Sequence, residues 1–195
     1  MLFSIVMTVT PGPNNVMVLM SGAKVGLMKT MPLVIGIALG VSVQFVVLGL
    51  GLGDLFERVP GFHEGLSVMG AGYILWLSWR IATSGPLRIT EDGRPPLGLV
   101  SGAAFQWINP KAWALSVSAS ATYIPIENHA LNLCLAGVLL ATVAIFCVGL
   151  WAVGGRALRE VLTRPKHAVA YNVSMALILI LTTMPAILRL AHCQP

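Results

Sequence analysis

Three long stretches of this chain contain no charged residue. They cover residues 30–53, 130–155 and 168–188. Each is as long as the roughly 20 apolar residues that a helix needs to cross the hydrocarbon core of a membrane. Over the whole chain 56% of residues are hydrophobic and only 10% are charged, whereas a typical soluble domain has about 25% charged residues. The sequence therefore predicts an all-α integral membrane protein.

Three further apolar stretches complete a predicted set of six spans. The first covers residues 1–23 and is broken by TPGPNN at residues 10–15. The third covers residues 63–83, and the fourth covers residues 97–125 and is broken by INPKAW. The uncharged stretches then form spans two, five and six. Because the chain has 195 residues, we expect one transmembrane domain over residues 1–195.

The basic residues indicate how these spans are oriented. Most of them lie in or beside the loops that follow spans one, three and five: Lys24, Lys29, Arg80, Arg88, Arg94, Arg156, Arg159, Arg164 and Lys166. Only Arg58 and Arg189 lie on the other side. Since cytoplasmic loops carry the excess of lysine and arginine, both termini are predicted to lie outside. Because the basic residues lie in short loops between apolar spans, the net charge of +5 serves orientation in the membrane; membrane lipid is the expected surrounding and no nucleic-acid partner is expected.

The two halves of the chain follow the same pattern. A break begins at Pro11 and another at Pro110, and the later spans of each half follow at a similar offset. Three spans per half is an odd number, so the second half must insert upside down. We therefore predict two inverted three-helix repeats, about 1–85 and about 97–190, with interrupted helices one and four. Matched interruptions point to a transporter binding site, although prolines can also merely kink packed helices.

Both breaks carry polar residues. In the first, Pro11 and Pro13 lack backbone donors and Gly12 lets the chain bend, so carbonyl groups are freed. Asn14 and Asn15 can donate to those carbonyls or turn toward a ligand. The free N–H groups at the start of the second half-helix favour an anion such as a carboxylate.

The second break supplies Gln106, Asn109, Pro110 and Lys111. Lys111 is the charged residue that lies deep within a predicted span, far from either end. Ionisable groups at such depth are functional candidates by default. The alternative is a lysine that only satisfies carbonyls freed at the break. If the two breaks meet, they line a small polar site of amino-acid size.

Four motifs follow one another along the chain. They are TPGPNNVMVLMSGAKVGL from residue 10, GIALG from residue 36, GAGYILWLSWRIATS from residue 70 and FQWINPKAW from residue 105. Together they resemble the LysE/RhtB family of bacterial amino-acid exporters, and the third is similar to the cysteine/O-acetylserine exporters within it. The resemblance implies multi-pass insertion in the bacterial inner membrane and export driven by the proton gradient. Asn172 falls where the family often has asparagine, so it joins the candidate substrate-binding residues.

A membrane-embedded thiol relay, or another redox protein of similar topology, is the alternative function. It needs two cysteines brought together, whereas Cys134 and Cys147 share one predicted span and Cys193 lies at the C-terminus. No metal motif is visible and the histidines lie near predicted span ends, so neither an enzyme, a metal site nor a cofactor is predicted. Proton coupling would have to use Lys111 or the edge residues Asp54 and Glu64. A homodimer remains open.

Overall fold

The computed structural model describes residues 2–52, 62–87 and 97–192, and all regular structure within these ranges is helical. Several residues of the sequence analysis lie outside the described ranges, namely Asp54, Arg58, Arg88, Arg94 and Cys193; the side chains of Glu64 and Arg189 are likewise not described. The fold class of the prediction, an all-helical protein, is therefore confirmed for the described part of the chain.

The first predicted span is two helices. Helix α1 covers Leu2–Val9 and helix α2 covers Pro13–Val25, and the two are bent by 56°. Pro11 lies between them and Pro13 begins α2, and neither has a backbone N–H to donate to the end of α1. The break thus lies where the sequence predicts it.

The fourth predicted span is broken in the same way. Helix α5 covers Leu99–Phe105 and tightens into a 3₁₀ turn at Gln106–Ile108, and helix α6 covers Pro110–Tyr123. Asn109 adopts an extended conformation between them, with φ −87° and ψ 106°. A residue before proline is pushed out of the helical region, so Pro110 ends one helix and begins the next.

Four long helices and one short helix complete the described fold. Helix α3 covers Leu27–Val47 and continues as a wider π turn at Leu48–Leu52, helix α4 covers Phe62–Ala82, helix α7 covers His129–Ala157, and helix α9 covers Pro165–His192; the short helix α8 covers Arg159–Thr163. These bounds agree with predicted spans two, three, five and six to within a few residues.

Three unbroken helical segments are long and apolar enough to cross a membrane, Leu27–Gly51, His129–Ala157 and Pro165–Pro185, and the bent pair α1–α2 makes a fourth. Their outward faces are apolar as well: Phe146 on α7 is 70% exposed and Leu181 on α9 is 71% exposed. Such faces suit contact with lipid rather than water. The described residues thus form a multi-pass membrane protein, while the count of six spans and the inverted repeats remain predictions.

Glycines let two pairs of helices meet backbone to backbone. A Cβ atom at Gly155 of α7 would lie 2.0 Å from the Leu19 carbonyl oxygen of α2, and one at Gly36 of α3 would lie 2.1 Å from the Leu99 carbonyl oxygen of α5. Small residues at such crossings are typical of membrane helix pairs. These two glycine seams hold the half-helices α2 and α5 against the long helices and so fix where the two breaks lie.

Candidate functional site

The two breaks meet in the interior of the bundle. The side-chain amides of Asn14 and Gln106 bind each other, with Asn14 Nδ2 donating to Gln106 Oε1 at 2.9 Å and Gln106 Nε2 donating to Asn14 Oδ1 at 3.2 Å. Gln106 is fully buried. Gln106 Nε2 also lies 2.9 Å from the Gly102 carbonyl oxygen. The two interrupted helices are therefore in direct contact, which the sequence analysis left as a condition for a shared site.

Lys111 reaches from the second break into the first. Its ammonium nitrogen lies 2.8 Å from the Thr10 carbonyl oxygen, 2.8 Å from Thr10 Oγ1 and 3.2 Å from the Pro11 carbonyl oxygen. An ammonium group has three N–H donors, and the first break offers three oxygens. Lys111 is only 7% exposed, so this contact forms away from solvent.

The backbone at Gly12 makes room for this side chain. A Cβ atom there would lie 3.0 Å from Lys111 Cδ and 3.2 Å from Lys111 Nζ. The φ angle of Gly12 is −161°, which any residue can adopt. Gly12 is therefore suited to this position by its missing side chain and not by its backbone conformation.

Every carbonyl oxygen from Thr8 to Pro11 accepts a hydrogen bond. Asn15 Nδ2 donates to Thr8 at 3.0 Å and to Thr10 at 2.7 Å. Val9 accepts from the indole of Trp151 at 3.2 Å, and Pro11 accepts from Thr182 Oγ1 at 2.8 Å as well as from Lys111. Freed carbonyls cost several kcal/mol each in a membrane unless they are satisfied, so this set of donors makes the break stable.

The second break is repaired by similar means. Gln44 Nε2 of α3 donates to the Gln106 carbonyl oxygen at 3.0 Å, and the indole of Trp113 donates to the Trp107 carbonyl oxygen at 3.0 Å. Asn109 Oδ1 accepts from the backbone N–H of Lys111 at 3.1 Å and so caps α6. An asparagine in this position satisfies one of the N–H groups that a helix start leaves unpaired.

A small cavity lies beside this contact. Its volume is about 30 Å³, and its lining includes Pro13, Asn14, Asn15, Asn109 and Lys111. That is roughly the share of one water molecule in the liquid. None of the described residues that line it is acidic. The site in this state is closed around its own polar groups, and it leaves the positive charge of Lys111 without a carboxylate from the described lining.

Asn172 is the candidate that lies apart from this site. Its Nδ2 donates to the Ser84 carbonyl oxygen just after α4 at 2.8 Å, and it does not line the cavity. Thr10, Gln44 and Thr182 take part in the site although the sequence analysis did not select them. Thr10 begins the first motif, and Gln44 is an amide inside an uncharged stretch. A polar side chain within an apolar span is the sequence signal by which both could have been selected.

The two described cysteines do not form a relay. Cys134 is exposed and Cys147 is buried, and both lie on α7. Thirteen residues of helix separate their Cα atoms by roughly 20 Å. The described part of the chain holds no group of three or more side chains suited to a metal ion.

Two broken helices that meet around a polar centre inside an apolar bundle are the architecture of a membrane transporter. The chain matches the sequence profile of the LysE type translocators over residues 5–188. It therefore belongs to the LysE type translocator family and is a transporter rather than an enzyme.

The curated relatives extend this assignment along the whole chain. It is 31% identical over 182 residues to the cysteine/O-acetylserine efflux protein of Escherichia coli O139:H28, and 30% identical over 183 residues to the protein of that name from Salmonella typhimurium LT2. Each alignment covers 91% of this chain and 90% of the relative. No solved structure matches the chain.

Proposed function

We propose that this protein exports small neutral amino acids, with cysteine and O-acetylserine foremost, from the cytoplasm across the bacterial inner membrane. The names of its relatives support this substrate class, as does the motif at residues 70–84. The observation that carries the proposal is the contact of Lys111 with the first break. It puts one positive charge at the junction of two interrupted helices, where an amino-acid carboxylate would balance it.

The geometry around Lys111 favours an anion for a second reason. Helices α2 and α6 both begin at the site, at Pro13 and Pro110. The start of a helix carries a partial positive charge, and at α6 this charge remains although the backbone N–H of Lys111 is bonded to Asn109 Oδ1. The substrate carboxylate binds between these helix starts and Lys111, while Asn14 and Gln106 exchange their mutual hydrogen bonds for bonds to the substrate.

A volume of about 30 Å³ cannot hold an amino acid, so the site must open during transport. A second cavity of about 420 Å³ lies next to it, between α1, α3, α6 and α7. Leu115 and Leu140 line both cavities. Small-molecule sites usually measure roughly 300–1,000 Å³, so the larger cavity has the size of a route by which the substrate leaves.

The larger cavity is at the end of the bundle opposite the basic loops. Phe3 and Tyr123 contact each other there, with ring centroids 5.5 Å apart, and both line it. If loops one, three and five are cytoplasmic, this end faces outward. We propose six spans in two inverted repeats with that orientation, and export driven by the proton gradient. Lys111 is the ionisable side chain among the described residues at the junction of the two breaks. It is our candidate for the residue that couples export to the proton gradient.

The decisive experiment measures efflux from cells preloaded with a panel of amino acids, with and without this protein. We expect faster loss of cysteine and O-acetylserine from cells that contain it. A membrane-inserted protein that accelerates the loss of no amino acid would contradict the proposal. Replacing Cys134 and Cys147 with serine separates the thiol relay from export, because only the relay needs them.

A further inference from the structure

We propose that the three oxygens around Lys111 Nζ are the subsite for the α-ammonium group of the substrate, and that Lys111 holds this subsite while no substrate is bound. These oxygens are the Thr10 carbonyl, Thr10 Oγ1 and the Pro11 carbonyl. The proposal rests on the proposed function for the identity of the substrate. It adds which atoms recognise the amino group and why the site is selective for zwitterions.

The first argument is chemical. The ligand that these oxygens now hold is a primary ammonium group, and an α-amino acid carries a second group of the same kind. The oxygens lie 2.8, 2.8 and 3.2 Å from Lys111 Nζ, within the usual range for N–H donors. A group that accepts the ammonium of Lys111 can accept the ammonium of a substrate with the same geometry.

The second argument is the balance of charge. The three oxygens that Lys111 contacts are neutral, and none of the described residues that line the adjoining cavity is acidic. An arriving zwitterion brings a carboxylate for Lys111 and an ammonium for the oxygens that Lys111 releases. A hydrogen bond between two charged groups replaces one from the ammonium to a neutral acceptor, and no oxygen of the break is left unsatisfied.

The third argument is the freedom of the side chain to move. Lys111 is held at its ammonium end by the first break and passes Gly12, whose missing Cβ leaves the path open. The cavity of about 30 Å³ adjoins it. Withdrawal of the lysine into this space exposes the oxygens of Thr10 and Pro11 without breaking the bonds that Asn15 makes to Thr8 and Thr10.

The central test is chemical rescue of Lys111→Ala in the purified full-length chain. The substitution removes the side chain beyond Cβ and empties the oxygen subsite, so propylammonium, which matches the atoms removed, should raise the midpoint of thermal unfolding of this variant and leave the wild type unchanged. Tetramethylammonium at the same concentration is the control, because it has the same charge and no N–H donor. Equal effects of the two cations, or an equal effect of propylammonium on the wild type, would overturn the proposal.

A second variant keeps the test decisive if Lys111→Ala does not fold. Thr10→Val removes one subsite oxygen and preserves the shape of the side chain. It should weaken binding of cysteine about tenfold, the value of a hydrogen bond to a charged group, and leave binding of 3-mercaptopropionate, which has no amino group, within about twofold. Equal weakening of both ligands would refute the subsite. A wild type that binds neither ligand would instead count against the proposed function.

Discussion

Lys111 connects the two halves of the molecule at the scale of a single residue. It belongs to the second break, and the three oxygens that it contacts belong to the first, about a hundred positions earlier in the chain. It satisfies carbonyls freed at the break, which is the structural role that the sequence leaves open. That role does not compete with substrate binding, because the same contact keeps the Lys111 ammonium at the place where we propose that a substrate carboxylate binds.

The first prediction concerns the charge of Lys111. Lys111→Met keeps the length of the side chain and removes the ammonium, so the variant should still insert but lose most amino-acid efflux. The matched control is Lys29→Met, because Lys29 lies exposed near the start of α3. Efflux from preloaded cells at equal expression measures both. Transport by Lys111→Met at the rate of the control would reduce Lys111 to a structural lysine.

At the scale of the element, the half-helices carry the site. Their ends supply the carbonyl oxygens and N–H groups that an unbroken helix would use internally. Asn15, Trp151, Thr182 and Lys111 keep those groups satisfied from four different helices. The stability of the break therefore depends on these side chains from neighbouring helices. In a continuous helix the same carbonyl oxygens would accept helical hydrogen bonds and would no longer face the site.

The second prediction tests this dependence. Replacing both Pro11 and Pro13 with alanine restores two backbone donors and permits a straighter helix, so efflux should be abolished while the protein still inserts. The control is Pro32→Ala, which alters a proline inside the continuous helix α3 away from the oxygen subsite. Normal efflux from the double variant would leave the break without a mechanistic role.

The third prediction concerns the glycine seam between α2 and α7. Gly155→Ala puts a methyl group 2.0 Å from the Leu19 carbonyl oxygen and should lower the free energy of unfolding by about 1–3 kcal/mol, as overpacking does. Gly154→Ala is the control one residue earlier, because a Cβ atom there meets nothing within 4 Å. Thermal unfolding in detergent compares them. Equal midpoints of thermal unfolding for the two variants would show that α2 and α7 can move apart at Gly155 without loss of stability.

At the scale of the whole molecule, the two ends of the bundle differ. The close helix contacts at Gly155 and Gly36 lie toward the end that bears the basic loops, whereas the opposite end holds the cavity of about 420 Å³. In an exporter with the proposed orientation, this is a state closed to the cytoplasm with a partly formed route outward. Loading of substrate then requires the seams to separate.

The fourth prediction tests the orientation. In a background without native cysteines, a cysteine at Glu127, in the exposed loop between α6 and α7, should react with a membrane-impermeant thiol reagent added outside intact cells. A cysteine at Thr90, in predicted loop three and outside the described residues, should react only after the cells are opened. The reverse pattern of labelling would mean that the chain is inserted the other way up.

The fifth prediction tests the outward route. Ala119 is buried and lines the larger cavity, whereas its neighbour Ser118 is exposed on another face of α6. Ala119→Trp should fill the cavity and block efflux, and Ser118→Trp should leave efflux close to the wild-type rate. In a background without native cysteines, Ala119→Cys should also react with a charged thiol reagent from outside, because a substrate route is wet. Protection of that cysteine, together with normal efflux by Ala119→Trp, would assign the cavity to lipid.

The sequence by itself determined the class of protein, the positions of the helices and the positions of both breaks. Those features depend on local chemistry: uncharged stretches must avoid water, and Pro11, Pro13 and Pro110 have no backbone N–H to donate to the preceding turn. Only the tertiary structure decided which partners the polar side chains take. Asn14 and Asn15 are adjacent and alike, yet Asn14 binds Gln106 across the bundle and Asn15 binds the carbonyls of its own break. Neither the position of Asn172 away from the site nor the small volume of the cavity could be predicted from the sequence. Contacts between distant residues depend on how the helices pack and not on the residues that flank each one.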